Sequence, residues 1–195
     1  CALSVAAALL HELVCDVDLP LADDPAALAW ARPLLQHFHG DAAQGWPLAA
    51  WQDGPTRGIS ALHGVRLDGV LSSARQHGVR VLAVRPWWAR VLQLSLKRQP
   101  ALRQGPARLL VLEGQGLTEL VLREGQVMGV QIRRLDEATS LALRAWCEDH
   151  PGNGATVIVG YGLAPSPSAE SRLPAALDAL DAPAPPLRWL TASPA

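Results

Sequence analysis

Lysine, methionine, tyrosine and phenylalanine each occur once in the 195 residues, as Lys97, Met128, Tyr161 and Phe38. The scarcity of lysine leaves a basic side made almost wholly of scattered arginines. No block of like charge runs through the chain, so a sequence-independent track along nucleic-acid phosphates has no footprint. The three cysteines, Cys1, Cys15 and Cys147, lie far apart without a C-x-x-C spacing. That excludes a zinc ribbon or a dithiol redox pair and fits reduced thiols in a cytoplasmic protein. No apolar run reaches the ~20 residues of a spanning helix; Ala2 to Leu10 is about half that and lacks a positive flank. There is no G-x-S-x-G elbow, and Cys147 falls inside an amphipathic helix pattern rather than at a helix start, so nucleophilic catalysis has no support. With Cys1 opening the chain and Met128 its only methionine, an upstream segment is expected.

What is present suits a folded core. At 49% hydrophobic and 18% charged residues, the chain can bury about 70% of its unfolded surface as one large domain or two smaller lobes. The alternation of Leu13, Cys15, Val17 and Leu19 predicts a strand ending at Pro20. Asp23 and Pro25 then open a helix with Leu28, Ala31, Leu35 and Phe38 on one face, Gly40 at its end and a kink or break expected at Pro33. Trp46–Gln52 and Arg57–His63 flank Asp53-Gly54-Pro55 as a hairpin. Leu67, Val70, Leu71 and Ala74 mark a helix ended by Gly78. The apolar run Val79–Val84 predicts a strand covered on both faces. Pro86 starts a helix buried through Trp88, Val91, Leu92 and Leu96.

A polar connector, Gln99–Pro106, divides an expected first lobe, 1–104, from a second, 105–195. In the second, 107–113, 117–123 and 126–133 predict a three-stranded antiparallel meander with Glu124-Gly125 as a tight turn. A helix capped by Asp136 follows, with a buried strand at 155–159, then a last helix through Leu173, Leu177 and Leu180 and a last strand at 187–190. The fold class is α/β, a mixed sheet with helices packed on it.

The meander followed by αβαβ resembles the repeating lobe of the ribonuclease H and actin-like ATPase superfamily. The stretches Gly58-Ile59-Ser60-Ala61-Leu62, Ala74 to Val81 and Val84-Arg85-Pro86 are similar to the PilM family of type IV pilus assembly proteins and to the cytoplasmic domain of the GspL family of type II secretion. Leu110-Val111-Leu112-Glu113-Gly114, Leu117 to Val121 and Gly125-Gln126-Val127 fit the same pattern. The resemblance covers about residues 12–163. It implies a nucleotide site with ATP and magnesium at Glu113, Gly114, Gly116 and Thr118 on the phosphate hairpin, and at Gly160 and Gly162 on the adenosine side. Here the loop is degenerate, since Gln115 takes the place of the expected glycine and Thr118 falls one position early. The companion loop would lie upstream of Cys1.

Of the remaining candidates, His37 and His39 with Asp41 offer metal-ligand residue types, yet a helix C-terminus favours histidine for its unsatisfied carbonyls. His63, His77 and His150 read as turn residues. A two-metal nuclease needs several converging carboxylates, and only Glu113 stands near the required strand. Among seven tryptophans, Trp88 joins the buried stripe while Trp87 lies toward its edge, making the pair a candidate partner anchor. The expectation is a non-enzymatic scaffold of a pilus or secretion platform. It would be cytoplasmic and held at the inner membrane by the tail of a membrane-protein partner, with a motor ATPase as a further partner and no cofactor. The alternatives are an ATP-dependent switch of the same fold and a metal-dependent hydrolase.

Overall fold

A computed structural model describes residues 1–16, 18–136 and 140–161. They fall into two compact units, Cys1–Arg90 and one beginning at Val91. The change of unit lies inside a helix rather than in the polar connector.

The first unit opens with β1 (Ala2–Val5), which pairs in parallel with β5 (Ala83–Pro86). Its main sheet orders β2 (Leu10–Val14), β4 (Thr56–Leu62) and β3 (Leu48–Asp53) side by side, all antiparallel. Strand β2 starts earlier and stops sooner than its alternation suggests. The Asp16 carboxylate accepts from the Asp18 amide at 3.2 Å, and the Leu19 amide donates to the Asp16 carbonyl, so a side-chain turn ends the strand. The sheet face carrying Leu13, Cys15 and Ile59 packs on α1 (Asp24–His39) through Ala27, Ala31 and Leu35.

Asp23 caps α1 as its composition predicts, its carboxylate accepting from Ala26 at 2.8 Å. The helix runs unbroken through Pro33. Ala29, whose carbonyl loses its donor there, is exposed, and water can satisfy it. Phe38 does not join the buried face; in the last turn it is 69% exposed. Helix α2 (Leu67–Gln76) buries no residue fully. Its C-terminal cap uses the Gly78 and Val79 amides, which donate to Arg75 and Ala74. Those two amides are thereby lost to any strand; β5 begins at Ala83, the Leu82 amide donates to the Cys1 carbonyl, and the side chains of Val79 and Leu82 stay exposed. Helix α3 (Trp87–Arg98) follows directly, with Trp88, Val91 and Leu92 buried.

The second unit carries β6 (Pro106–Glu113), β7 (Gly116–Arg123), β8 (Gln126–Arg134), α4 (Ser140–Asp149) and β9 (Ala155–Tyr161). The strands lie in the order β8-β7-β6-β9, antiparallel except for the parallel pair β6 and β9. Central β6 is buried along nearly its whole length. Leu110 and Leu112 meet Leu117, Leu135, Leu143 and Ile158 in one core, with Trp146 and Cys147 against it. The turn between β7 and β8 places Glu124 at φ 54° and Gly125 at φ 81°, as a two-residue hairpin of right-handed twist requires. Arg108 is the exception in this apolar interior. It is buried beneath Trp146, donates to the His150 carbonyl at 2.6 Å and faces Glu119 at 3.6 Å. The last helix and strand expected from the sequence lie outside the described residues.

Candidate functional site

The meander builds the hairpin on which the nucleotide expectation rests. Glu113 pairs with Gly116, leaving Gly114 and Gln115 as the turn, and Gly114 takes φ 58°. Because β6 and β9 are parallel, Gly160 stands beside Leu112 at the same strand ends. The carboxyl ends of parallel strands are where open α/β sheets collect ligands. Glu113, Gly114, Gly116 and exposed Gly160 are thus brought to one edge of the sheet. Gly162 lies outside the described residues.

Two features oppose an open phosphate loop at that edge. The Gln115 amide donates to the Asp136 carbonyl at 3.0 Å, its oxygen accepts from Arg134 at 2.7 Å, and its backbone carbonyl accepts from Leu135. The turn is therefore tied to the end of β8. Thr118 is fully buried, and its hydroxyl has no hydrogen-bond partner. A hydroxyl in that position does not reach a ligand at the strand ends.

Trp87 and Trp88 do not form an exposed anchor, since 8% and 4% of their surfaces are accessible. For Trp88 the reason is chemical. Its indole N–H donates to Glu12 at 2.9 Å, and a buried indole keeps such a donor satisfied.

Glu12, which no sequence motif singles out, is the centre of a polar cluster on β2. Its carboxylate accepts from Trp88 and from the Trp51 indole at 3.1 Å, and Ser60 Oγ lies 2.9 and 2.8 Å from its two oxygens. Trp51 and Trp88 meet edge to face with ring centroids 5.5 Å apart. Gly58 makes this possible, because any Cβ there would overlap the Trp51 ring. Burial pushes the Glu12 carboxyl up to about 7, although the hydrogen bonds from Trp88, Ser60 and Trp51 favour its charged form. The available signal was an isolated glycine inside a strand pattern opposite a tryptophan.

A second cluster lies on the other face of the sheet. His11 packs against His39 and His63 with ring centroids 4.0 and 4.4 Å apart, and stacks on Trp46 at 5.0 Å. Burial first, then electrostatic interaction with His39 and His63, lower the His11 imidazole to about 4. His11 packs ring to ring with its three neighbours. Among the described residues no group of three or more histidines, cysteines or carboxylates is placed to hold a metal ion. His77 and His150 each bring Nδ1 to a carbonyl four residues earlier, at 2.8 and 3.0 Å. No described helix is long and apolar enough to cross a membrane.

No protein-family model matches the sequence, and no curated protein matches it. Solved structures do. A Bacteroides thetaiotaomicron protein with an actin-like ATPase fold and unknown function aligns at TM-score 0.53 and 9% identity, over 92% of this chain and 64% of that one. The PilM-PilN type IV pilus biogenesis complex aligns at TM-score 0.56 and 11% identity, over 82% of this chain and 62% of that one. The chain therefore spans less than two thirds of either neighbour. With the order β8-β7-β6-β9 and one parallel pair among the described strands of the second unit, these likenesses establish that the chain has the actin-like fold.

Proposed function

We propose that this chain is a non-enzymatic adaptor of a pilus or secretion assembly platform that binds the tail of an inner-membrane protein and is held at the membrane by it. The likeness to the PilM-PilN complex carries the reading, and the hydrogen-bonded Gln115 turn supports a role without nucleotide chemistry. The test is a pull-down of detergent-solubilised inner-membrane assembly proteins with the chain as bait. Stable capture of one through its cytoplasmic tail is expected, and recovery of none overturns the proposal. The likeness gives no support for a motor ATPase as a further partner.

A second reading has its own observation. Glu113, Gly114, Gly116 and Gly160 share one sheet edge, and one neighbour is described by an actin-like ATPase fold. A nucleotide-dependent switch requires MgATP to bind there. Titration calorimetry of the longest native form of the protein distinguishes the two, with no heat expected for the adaptor and saturable heat for the switch.

A further inference from the structure

Glu12 sits where four elements meet. Strand β2 supplies the carboxyl, β4 supplies buried Ser60, and β3 sends Trp51 across Gly58 to reach it. The first turn of α3 closes the group with Trp88. A carboxylate in this enclosure gains from two indole N–H donors and a hydroxyl, yet it loses the water that would otherwise solvate its charge. A neutral carboxyl keeps every partner, since its O–H can donate to Ser60 while both oxygens still accept from the indoles. No charged group from β3, β4 or α3 contributes to the balance at this carboxyl. By register the nearest titratable side chain on the same sheet face is Asp53, at the far end of β3. His11, next along β2, points to the opposite face, where its ring packs against His39 and His63.

We propose that Glu12, Ser60, Trp51 and Trp88 form a proton-operated latch: the neutral carboxyl fastens the first turn of α3 and strand β3 to the sheet, and ionisation opens that fastening to water. The raised titration of Glu12, near neutral pH, places the transition where modest changes of pH act on it.

The experiment follows the indole N–H signals of Trp51 and Trp88 by NMR in the full chain between pH 5 and 9. In parallel it records hydrogen exchange of the Trp88 indole, corrected for its intrinsic pH dependence. Both signals should move with one midpoint near 7, and corrected exchange should rise at least tenfold through the same midpoint. Glu12→Gln should abolish the transition. Trp88→Phe, which keeps a ring but removes one donor to the charged form, should move the Trp51 midpoint upward by about one pH unit. It also serves where Glu12→Gln fails to fold. Indole signals that do not titrate, a transition that persists in Glu12→Gln, an unmoved midpoint in Trp88→Phe, or corrected exchange that stays flat would each overturn the latch.

Discussion

The main sheets of the two units are held by different physics. In the second unit, β6 presents three leucines and Val111 to its two faces, and its one buried charge, Arg108, is matched by Glu119 and the His150 carbonyl. In the first unit, one face of the β2-β4-β3 sheet packs apolar residues on α1, whereas the other is fastened by hydrogen bonds to a carboxyl. The first arrangement is sensitive to volume, because close-packed interiors cannot refill a lost methyl group. The second is sensitive to protonation, because the same atoms are stable in one charge state and costly in the other.

The contrast can be broken most strongly in the apolar sheet. Leu110→Ala removes a fully buried side chain from the core it forms with Leu112, Leu117 and Leu143. Chemical denaturation should show a loss of about 3–4 kcal/mol, with no pH dependence of its own.

Next in size is a pH effect confined to the first unit, with two opposing signs on neighbouring residues. Glu12 titrates near 7 when folded against 4.5 otherwise, so its stabilising contribution is complete below 4.5 and disappears as pH rises through 7. His11 titrates near 4 against 6.5, so its contribution is complete above 6.5 and disappears as pH falls through 4. Glu12 is worth up to about 3 kcal/mol at about 1.4 kcal/mol per unit, and His11, largely open to water, clearly less. Between about pH 5 and 6.5 the two act in opposite directions in the parent chain. Denaturation of Glu12→Gln across that window should therefore show stability rising with pH, and His11→Gln should show it falling. Parallel profiles for the two variants would remove the opposition.

A smaller effect sharpens the geometry. Gly58→Ala puts a methyl group into the Trp51 ring, so the indole must leave Glu12. About 2 kcal/mol of stability should be lost, together with the near-ultraviolet circular dichroism of the Trp51 and Trp88 pair. The smallest change belongs to the exposed pair Arg144 and Glu148, 3.0 Å apart on α4. Glu148→Ala should cost no more than about 0.5 kcal/mol, and added salt should erase the difference.

These elements also explain why one unit was easier to read. The meander declares itself through alternation and the Glu124-Gly125 turn, both local properties, and β9 through an unbroken apolar run. Cap residues did the same for α1, where Asp23 and Gly40 stand at the ends the composition predicts. The failures are non-local. Val79 has a strand-like side chain, but its amide is committed to the α2 cap, and Leu82 donates its amide to the Cys1 carbonyl while its side chain stays exposed. Glu12 looked like an ordinary polar residue in a half-buried strand, and its partners lie 39, 48 and 76 positions away. Glu113, Gly114, Gly116 and Gly160 share one edge of the sheet, a nearness that strand spacing alone makes legible. Thr118's burial and the tie from Gln115 to β8 depend on neighbouring strands that spacing does not reveal.

The parallel pairing of β6 with β9 has a consequence for how the second unit acquires its shape. Each antiparallel neighbour in the meander is joined by a two-residue turn, so closing those loops costs little entropy. Strand β9 reaches β6 only after all of β7, β8 and α4 have intervened, and nothing local guides it there. The ribbon of three strands is thus favoured as the early nucleus, and β9 docks late onto an edge that stays adhesive until it arrives.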